Sequence, residues 1–170
     1  RRQRQMCIRD SLISGRLLTE GPLKNGSWLV AGRRTYLDPV LAAVRQSGTD
    51  VPDYYFYDFN FKVNRSLSDS DTVVLSTYWG RDRLDFALDP DAETYFNIVW
   101  GNRAVSGRWK RVFSPTLFGR FTAFFSEYES DIGLSFFETP ITFGNRVSDL
   151  TFGADIDYFA SANHTVPIRV

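Results

Sequence analysis

The feature that most constrains this chain is a period-two alternation of apolar and polar residues. The clearest segment, residues 54–64, carries two interleaved sets: Tyr55, Tyr57, Phe59, Phe61 and Val63 against Asp58, Asn60, Lys62 and Asn64. Successive side chains of a β-strand point to opposite faces of the sheet, so one face of this segment is apolar and the other is polar. The segment therefore predicts a strand whose two faces meet different surroundings.

The same alternation recurs along the chain and predicts about eight strands. The predicted strands are residues 12–20, 27–35, 54–64, 72–80, 94–113, 120–126, 150–158 and a last one from about Thr165. Residues 36–46 depart from the pattern, because Leu37, Val40, Leu41 and Val44 recur at helical spacing. We expect an all-β, antiparallel, up-and-down sheet with one short helix in a loop.

The connections and the wet faces favour the wall of a transmembrane β-barrel over a packed soluble core. Short polar turns at 65–71, 114–116 and 160–164 alternate with longer segments at 36–53, 81–93 and 127–147, as in outer-membrane barrels. The polar faces also hold mid-strand charges, which suits a wide polar lumen. The predicted lumen-lining residues are Asp58, Asn60, Lys62, Arg108, Asp155 and Asp157.

The apolar faces would then meet lipid. The predicted lipid-facing residues are Tyr57, Phe59, Phe61, Leu75, Phe121, Phe125, Phe152 and Ile156. Aromatic residues near strand ends are typical of the girdles at both membrane interfaces, and Trp79, Trp100, Trp109 and Tyr158 are the candidates here. Core packing in a soluble β-protein is the alternative explanation of these aromatics.

Composition excludes several classes of function. The 20 basic and 20 acidic residues cancel, so we expect no nucleic-acid partner. Cys7 is the single cysteine, which excludes an internal disulfide and a cysteine-based zinc site.

Residues 1–11 contain no signal peptide, follow no periodic pattern and are similar to translated adapter sequence. We therefore expect the fold to occupy residues 12–170.

Several motifs occur in an order that carries a family resemblance. They are Glu20-Gly21-Pro22, Gly32-Arg33-Arg34-Thr35-Tyr36-Leu37-Asp38, Tyr54-Tyr55-Phe56-Tyr57-Asp58, Lys62-Val63-Asn64, Tyr78-Trp79-Gly80-Arg81-Asp82, Trp100-Gly101-Asn102, Arg108-Trp109 and Phe113-Ser114-Pro115. In this order they resemble the early barrel strands of TonB-dependent outer-membrane receptors of Bacteroidota type. The resemblance spans about residues 12 to 170.

The resemblance implies a function in energised uptake. Such receptors admit a scarce ligand, such as an iron chelate, cobalamin or a glycan, through a barrel of about 22 strands that holds an N-terminal plug. This chain would supply about one third of that barrel in the bacterial outer membrane. The implied partners are outer-membrane lipids, the TonB system through the plug region, and a surface lipoprotein.

We predict no catalytic residue, no cofactor and no metal site. His164 is the single histidine and falls in a predicted turn, where a catalytic triad would need a buried, oriented base. Asp155 and Asp157 resemble a carboxylate pair, but lumen lining explains them better. Asp82, Asp85, Asp89 and Asp91 could offer oxygen ligands to Ca²⁺, yet the EF-hand spacing is absent.

Other interpretations stay open from sequence alone. Arg33 and Arg34 must point to opposite faces, and the pattern does not decide which of them faces inward. A complete eight-stranded outer-membrane barrel, either a pore or a lipid-modifying enzyme, would also fit the length. A soluble lipocalin-like barrel is the third alternative, and it would enclose the odd-numbered face of residues 55–63.

Overall fold

The computed structural model describes residues 5–10, 14–35, 37–46, 51–89, 94–136, 139–161 and 164–170. They form one antiparallel sheet whose nine strands lie in sequence order. The strands are β1 Gln5–Asp10, β2 Ser14–Leu23, β3 Gly26–Thr35, β4 Asp53–Ser66, β5 Asp71–Asp89, β6 Thr94–Ser114, β7 Leu117–Phe136, β8 Thr139–Ser161 and β9 His164–Arg169. The single helix among the described residues, α1, spans Asp38–Gln46 between β3 and β4. The predicted all-β, up-and-down fold class and its short helix are confirmed.

Residues 5–10 differ from expectation, since they were placed outside the fold. They form β1, which pairs with β2 from Gln5 opposite Glu20 to Asp10 opposite Gly15. An edge strand can be held by backbone hydrogen bonds alone, which any side-chain sequence can supply. The absence of alternation in this segment was therefore no obstacle to strand pairing.

Two of the three predicted long loops are mostly strand. β5 continues to Asp89, β7 continues to Phe136 and β8 already begins at Thr139. The strands β5 to β8 are consequently 19 to 23 residues long. The charges at 81–85 and 127–131, expected in loops, lie on extended strands. A strand continues through charged residues because its backbone hydrogen bonds do not depend on side-chain polarity.

The sheet is open and sheared. In the described part of the chain, β1 and β9 are the two edges, and neither pairs with the other. The first residue of β5, Asp71, pairs with Arg111, short of the end of β6, and the first residue of β7, Leu117, pairs with Tyr158, short of the end of β8. Each hairpin is thus displaced along its neighbour in the same direction. Such a stagger is what a tilted barrel wall requires.

The first hairpin shows how local chemistry sets the register. Lys24 and Asn25 form the turn between β2 and β3, and Asn25 has φ of 60°, a left-handed conformation that Asn tolerates better than most residues. Gly26 follows, and a Cβ there would collide with the carbonyl oxygen of Asn64 on β4. This close approach allows only glycine and fixes the start of β3 against β4.

No helix among the described residues is long and apolar enough to cross a membrane.

Candidate functional site

The strand register divides the side chains into two faces, which we call face A and face B. Face A carries Phe59 and its register partners Gly32, Trp79, Arg103 and Glu127. Face B carries Asp58 and its register partners Arg33, Gly80, Asn102 and Tyr128. Among the residues whose burial the structure describes, four that carry a side chain are buried, Ala31, Thr35, Thr94 and Ser130, and all four lie on face B. Greater burial is expected of the concave side of a curved sheet, so we take face B as the inner face.

All six residues predicted to line the lumen lie on face B. Asp58, Asn60 and Lys62 share it by alternation along β4, and the register carries Arg108, Asp155 and Asp157 to the same side. They do not form one contact cluster, because they are spread over strands β4 to β8. The structure thus places these six side chains on one surface but not in contact with one another as a group. A lumen lining would need only the shared surface.

All eight residues predicted to face lipid lie on face A. Tyr57, Phe59 and Phe61 share it along β4, and the register adds Leu75, Phe121, Phe125, Phe152 and Ile156. Several are well exposed, with Phe152 at 70% and Phe59 at 41% of their full accessible surface. Large apolar side chains exposed over so wide an area mark an interaction surface.

One predicted girdle residue lies on the wrong face. Trp79, Trp109 and Tyr158 are on face A, but Trp100 pairs with Asp82 and Ser130 on face B. The signal was present in the sequence, because Trp100 and Arg108 are both even-numbered residues of one strand. Without a bulge between them, they must point to the same side.

The two faces exchange polarity along the strands. We call the half of each strand next to the turns at 24–25, 67–70 and 115–116 the turn half, and the opposite half the loop half. In the turn half, face A is apolar and face B is mostly polar. In the loop half, face A is rich in charges, at Arg34, Arg81, Arg83, Asp85, Arg103, Glu127, Glu129, Asp131 and Arg146. Face B of the loop half carries apolar residues, at Tyr54, Phe56, Leu84, Phe86, Phe96, Ile98, Trp100, Ile132, Leu134, Ile141 and Phe143.

The height of the apolar part of face A, which we call the apolar band, can be calculated from the number of residues it spans. On β6 it runs between Arg111 and Arg103, and only Val105, Gly107 and Trp109 occupy face A between these arginines. Eight residues at about 3.4 Å each, tilted by about 40°, rise about 21 Å. Barrels that cross an outer membrane carry an apolar belt about 25 Å tall.

The charges on face A above the band form ion pairs across strands. Arg103 lies 2.5 Å from Glu127, and Arg146 lies 3.0 Å from Glu129. The hydrogen bond from Arg103 lowers the pKa of the Glu127 carboxyl. Arg103 and Arg146 are more than half exposed, so this network is accessible to solvent.

An aromatic cluster occupies face B in the loop half, and sequence reasoning missed it. Tyr54 stacks on Trp100 with ring centroids 6.5 Å apart, and it donates a 3.0 Å hydrogen bond from its hydroxyl to Asp82. Phe56 packs 6.0 Å from Tyr54, and the guanidinium of Arg33 lies 4.6 Å above the Phe56 ring. Burial, followed by the bond to Asp82, raises the pKa of the Tyr54 phenol.

The structure also decides between the two arginines of the Gly32-Arg33-Arg34 motif. Arg33 lies on face B and forms an ion pair of 2.6 Å with Asp58. Arg34 lies on face A, opposite Tyr57. Arg33 is therefore the inward residue and joins the aromatic cluster, whereas Arg34 points outward near the end of β3.

The residues weighed for catalysis or metal binding are dispersed. His164 begins β9, is exposed, and its ring nitrogen Nδ1 lies 2.9 Å from the Ser161 hydroxyl. Asp82 and Asp85 point to opposite faces of β5, and Asp91 lies outside the described residues. Among the residues that the structure describes, no three His, Cys, Asp or Glu side chains could together hold a metal ion.

The chain matches no protein-family model, and no curated protein or solved structure is significantly similar to it.

Proposed function

We propose that this chain is part of the membrane-spanning barrel of a TonB-dependent outer-membrane receptor. The observation that carries the proposal is the exchange of polarity along β4 to β8. A soluble sandwich would keep one face apolar along whole strands, because its core extends between both ends. A strand that leaves a bilayer changes the surroundings of its outer face from hydrocarbon to water at a defined height.

The long strands fit this arrangement. About 9–11 residues suffice to cross a bilayer in a tilted strand, yet β5 to β8 have 19 to 23. The turn half would lie in the membrane, and the loop half would project beyond it. The charged network of face A then lies outside the bilayer, and the apolar residues of face B line the inside of an external vestibule.

The aromatic cluster suits a role in admitting ligand. Its rings face inward above the membrane level, where a ligand entering from the loop side would first meet the wall. Rings with an adjacent carboxylate and guanidinium offer both stacking and hydrogen bonding. By the family resemblance, a plug contributed by another part of the receptor would complete the site and link it to TonB. The protein would move its ligand without making or breaking a bond.

Two alternatives fit the structure less well. A complete eight-stranded barrel must close on itself, whereas the nine strands in the described part of the chain form a sheet whose edges, β1 and β9, do not pair with each other. A lipocalin-like barrel would enclose Phe59 and Phe152, which are 41% and 70% exposed. The open sheet with an exposed apolar band instead favours a wall segment of a larger membrane barrel.

Two experiments test the proposal. The coding sequence that flanks this chain should encode a plug domain upstream and about thirteen further strands downstream, given a receptor of about 22 strands. Cells that express the intact gene should take up the ligand, tested as an iron chelate, cobalamin or a glycan. This uptake should require TonB and an energised inner membrane. A flanking sequence without a plug, or uptake that persists without TonB, would refute the receptor assignment.

A further inference from the structure

A groove opens on face A within the apolar band. It has a volume of about 530 Å³, and its floor includes Gly107 and its register partner Ala123. A Cβ added at Gly107 would have no heavy atom within 4 Å, so the space above the glycine is open. Trp109 and Phe121 stack with centroids 5.1 Å apart and form the wall on the turn side. The groove is thus an open depression, with the aromatic pair at its turn side and Phe152 and Val170 among its other lining residues.

A pair of opposite charges lies beyond that wall. The indole nitrogen of Trp109 donates a 2.9 Å hydrogen bond to Asp71, and the guanidinium of Arg111 lies 3.5 Å from the same carboxylate. Arg111 also lies 5.8 Å above the Trp109 ring. Along β6, Arg111 is two residues from Trp109 on the same face, which is about 7 Å. A cation and an anion therefore sit together at the turn-side border of the band.

We propose that the groove and this charge pair bind one phospholipid with a primary-ammonium headgroup. One acyl chain would occupy the groove, the phosphate would contact Arg111, and the ammonium would contact Asp71. The inference rests on the proposed membrane location of the band. It deepens that proposal by assigning a specific lipid to one place on the wall.

Charge complementarity selects this occupant. The Asp71 carboxylate accepts one hydrogen bond on each oxygen, from Trp109 and from the Ser68 hydroxyl at 2.9 Å, and its lone pairs can accept about four. The Arg111 to Asp71 distance of 3.5 Å is longer than a charge-assisted hydrogen bond of about 2.7–2.9 Å, so both groups can still bond further. A headgroup with a net negative charge would be attracted by Arg111 but repelled by Asp71. A choline headgroup has no N–H to donate to the carboxylate. A phosphate with a primary ammonium satisfies both partners.

The acyl chain alone cannot provide selectivity. Lipid tails are as apolar as the groove, so burial of a chain there gains packing and little hydrophobic free energy. Selection between lipids must then come from the headgroup, whereas retention of any lipid must come from the groove. These two contributions can be separated by substitution.

The test uses the intact protein that contains this chain, first floated with phosphatidylcholine vesicles. In detergent it is then offered phosphatidylethanolamine, phosphatidylcholine and phosphatidylglycerol with identical chains, and retained lipid is counted by native mass spectrometry. We expect phosphatidylethanolamine to exceed each competitor by about fivefold, as one charge-assisted contact would give. Asp71→Asn and Arg111→Gln should each abolish that preference, while Lys110→Gln, which removes the neighbouring cation on face B, should preserve it.

A second pair of variants tests the groove. Gly107→Leu fills open space without a backbone clash and should lower retention of all three lipids about fivefold. Thr77→Leu adds similar bulk on face A outside the groove and should leave retention unchanged. Equal retention of the three lipids, or an unaltered Gly107→Leu variant, would overturn the inference while leaving the receptor proposal intact. A protein that fails to float would instead overturn the membrane location, and the lipid site with it.

Discussion

Replacing Phe59 by arginine should destabilise the membrane-inserted protein by about 2–4 kcal/mol, the cost found for Arg near the midplane on the lipid face of such barrels. Phe59 lies on face A of β4 with 41% of its surface exposed. If that exposed surface meets hydrocarbon, a guanidinium there must either lose its water or distort the bilayer around it.

The depth of the site can be worked from the strand. A strand with a rise of about 3.4 Å per residue, tilted by about 40°, advances about 2.6 Å per residue along the membrane normal. Phe59 lies six residues from Arg65, at the lower border of the band, and four from Tyr55. Phe59 is therefore about 16 Å above Arg65 and about 10 Å below Tyr55, close to the middle of the band.

Two matched variants accompany Phe59→Arg. Tyr55→Arg places the same charge on the same face but beyond the band, where the cost should fall to about 0–1 kcal/mol. Asn60→Arg places it on face B, beside the carboxylate of Asp58, and should cost less than about 0.5 kcal/mol. Phe152→Arg and Thr151→Arg should repeat the contrast between faces on β8.

The assay is urea unfolding of the intact protein in phospholipid vesicles, followed by tryptophan fluorescence, with the midpoint and slope fitted separately. On a surface that meets water, Phe59→Arg would change stability by no more than about 0.5 kcal/mol. Equal costs for Phe59→Arg and Asn60→Arg would therefore refute the assignment of face A to lipid.

The orientation of the strands, the Tyr54 phenol and the behaviour of the isolated polypeptide can each be measured separately. In intact cells, a membrane-impermeant thiol reagent should label Asp89→Cys at the loop end of β5 but not Ser68→Cys in the turn, and the reverse pattern would invert the topology. The phenol of Tyr54 should ionise above its ordinary pKa of 10.0, so the stability that it contributes is present at neutral pH and is lost as the pH rises through the raised value. Asp82→Asn should bring the ultraviolet titration of Tyr54 back toward 10.0, and an unchanged titration would contradict the assigned hydrogen bond. The 170-residue polypeptide alone should aggregate on refolding, because unpaired backbone at β1 and β9 is costly in hydrocarbon; a monodisperse, heat-modifiable monomer would contradict this.

The alternation in the sequence predicted the faces well because a strand has an unambiguous period. Once β4 is read as a strand, Phe59 and Asn60 must point to opposite sides, and no tertiary contact can alter that. The short helix could be predicted equally well, since the apolar residues of this segment recur at helical spacing instead of at every second position. They are Leu37, Val40, Leu41 and Val44. These features depend only on local geometry.

The ends of the long strands were not predictable in the same way. The pattern was interpreted as if each face kept one polarity, so Arg81 and Glu127 were assigned to loops. In fact β5 and β7 continue through these charges while the polarity of each face changes along the strand. Local sequence does not show at which residue a continuing strand exchanges the polarity of its two faces. The register across five strands is needed to align the charges into one border.

The aromatic cluster was missed for a related reason. Tyr54 and Trp100 are 46 residues apart in sequence, and they meet only because β5 lies between β4 and β6 in a fixed register. Strand order alone could have suggested their proximity, since neighbouring strands are sequential. That the two rings share a face follows from the even number of Trp100, because even-numbered residues of β6 point to face B. The assignment of Trp100 to the girdle did not take this into account.

A spin-label scan of β4 in the native outer membrane would measure directly which face of the sheet meets lipid. Single cysteines are introduced at each position from Tyr55 to Val63, labelled with a nitroxide, and compared for collision with oxygen, which concentrates in hydrocarbon, and with a water-soluble nickel chelate. If face A meets lipid, collision rates should alternate with a period of two, with Phe59, Phe61 and Val63 exposed to oxygen and Asn60 and Lys62 exposed to nickel. An absence of alternation, or alternation in the opposite phase, would contradict the claim that face A meets lipid.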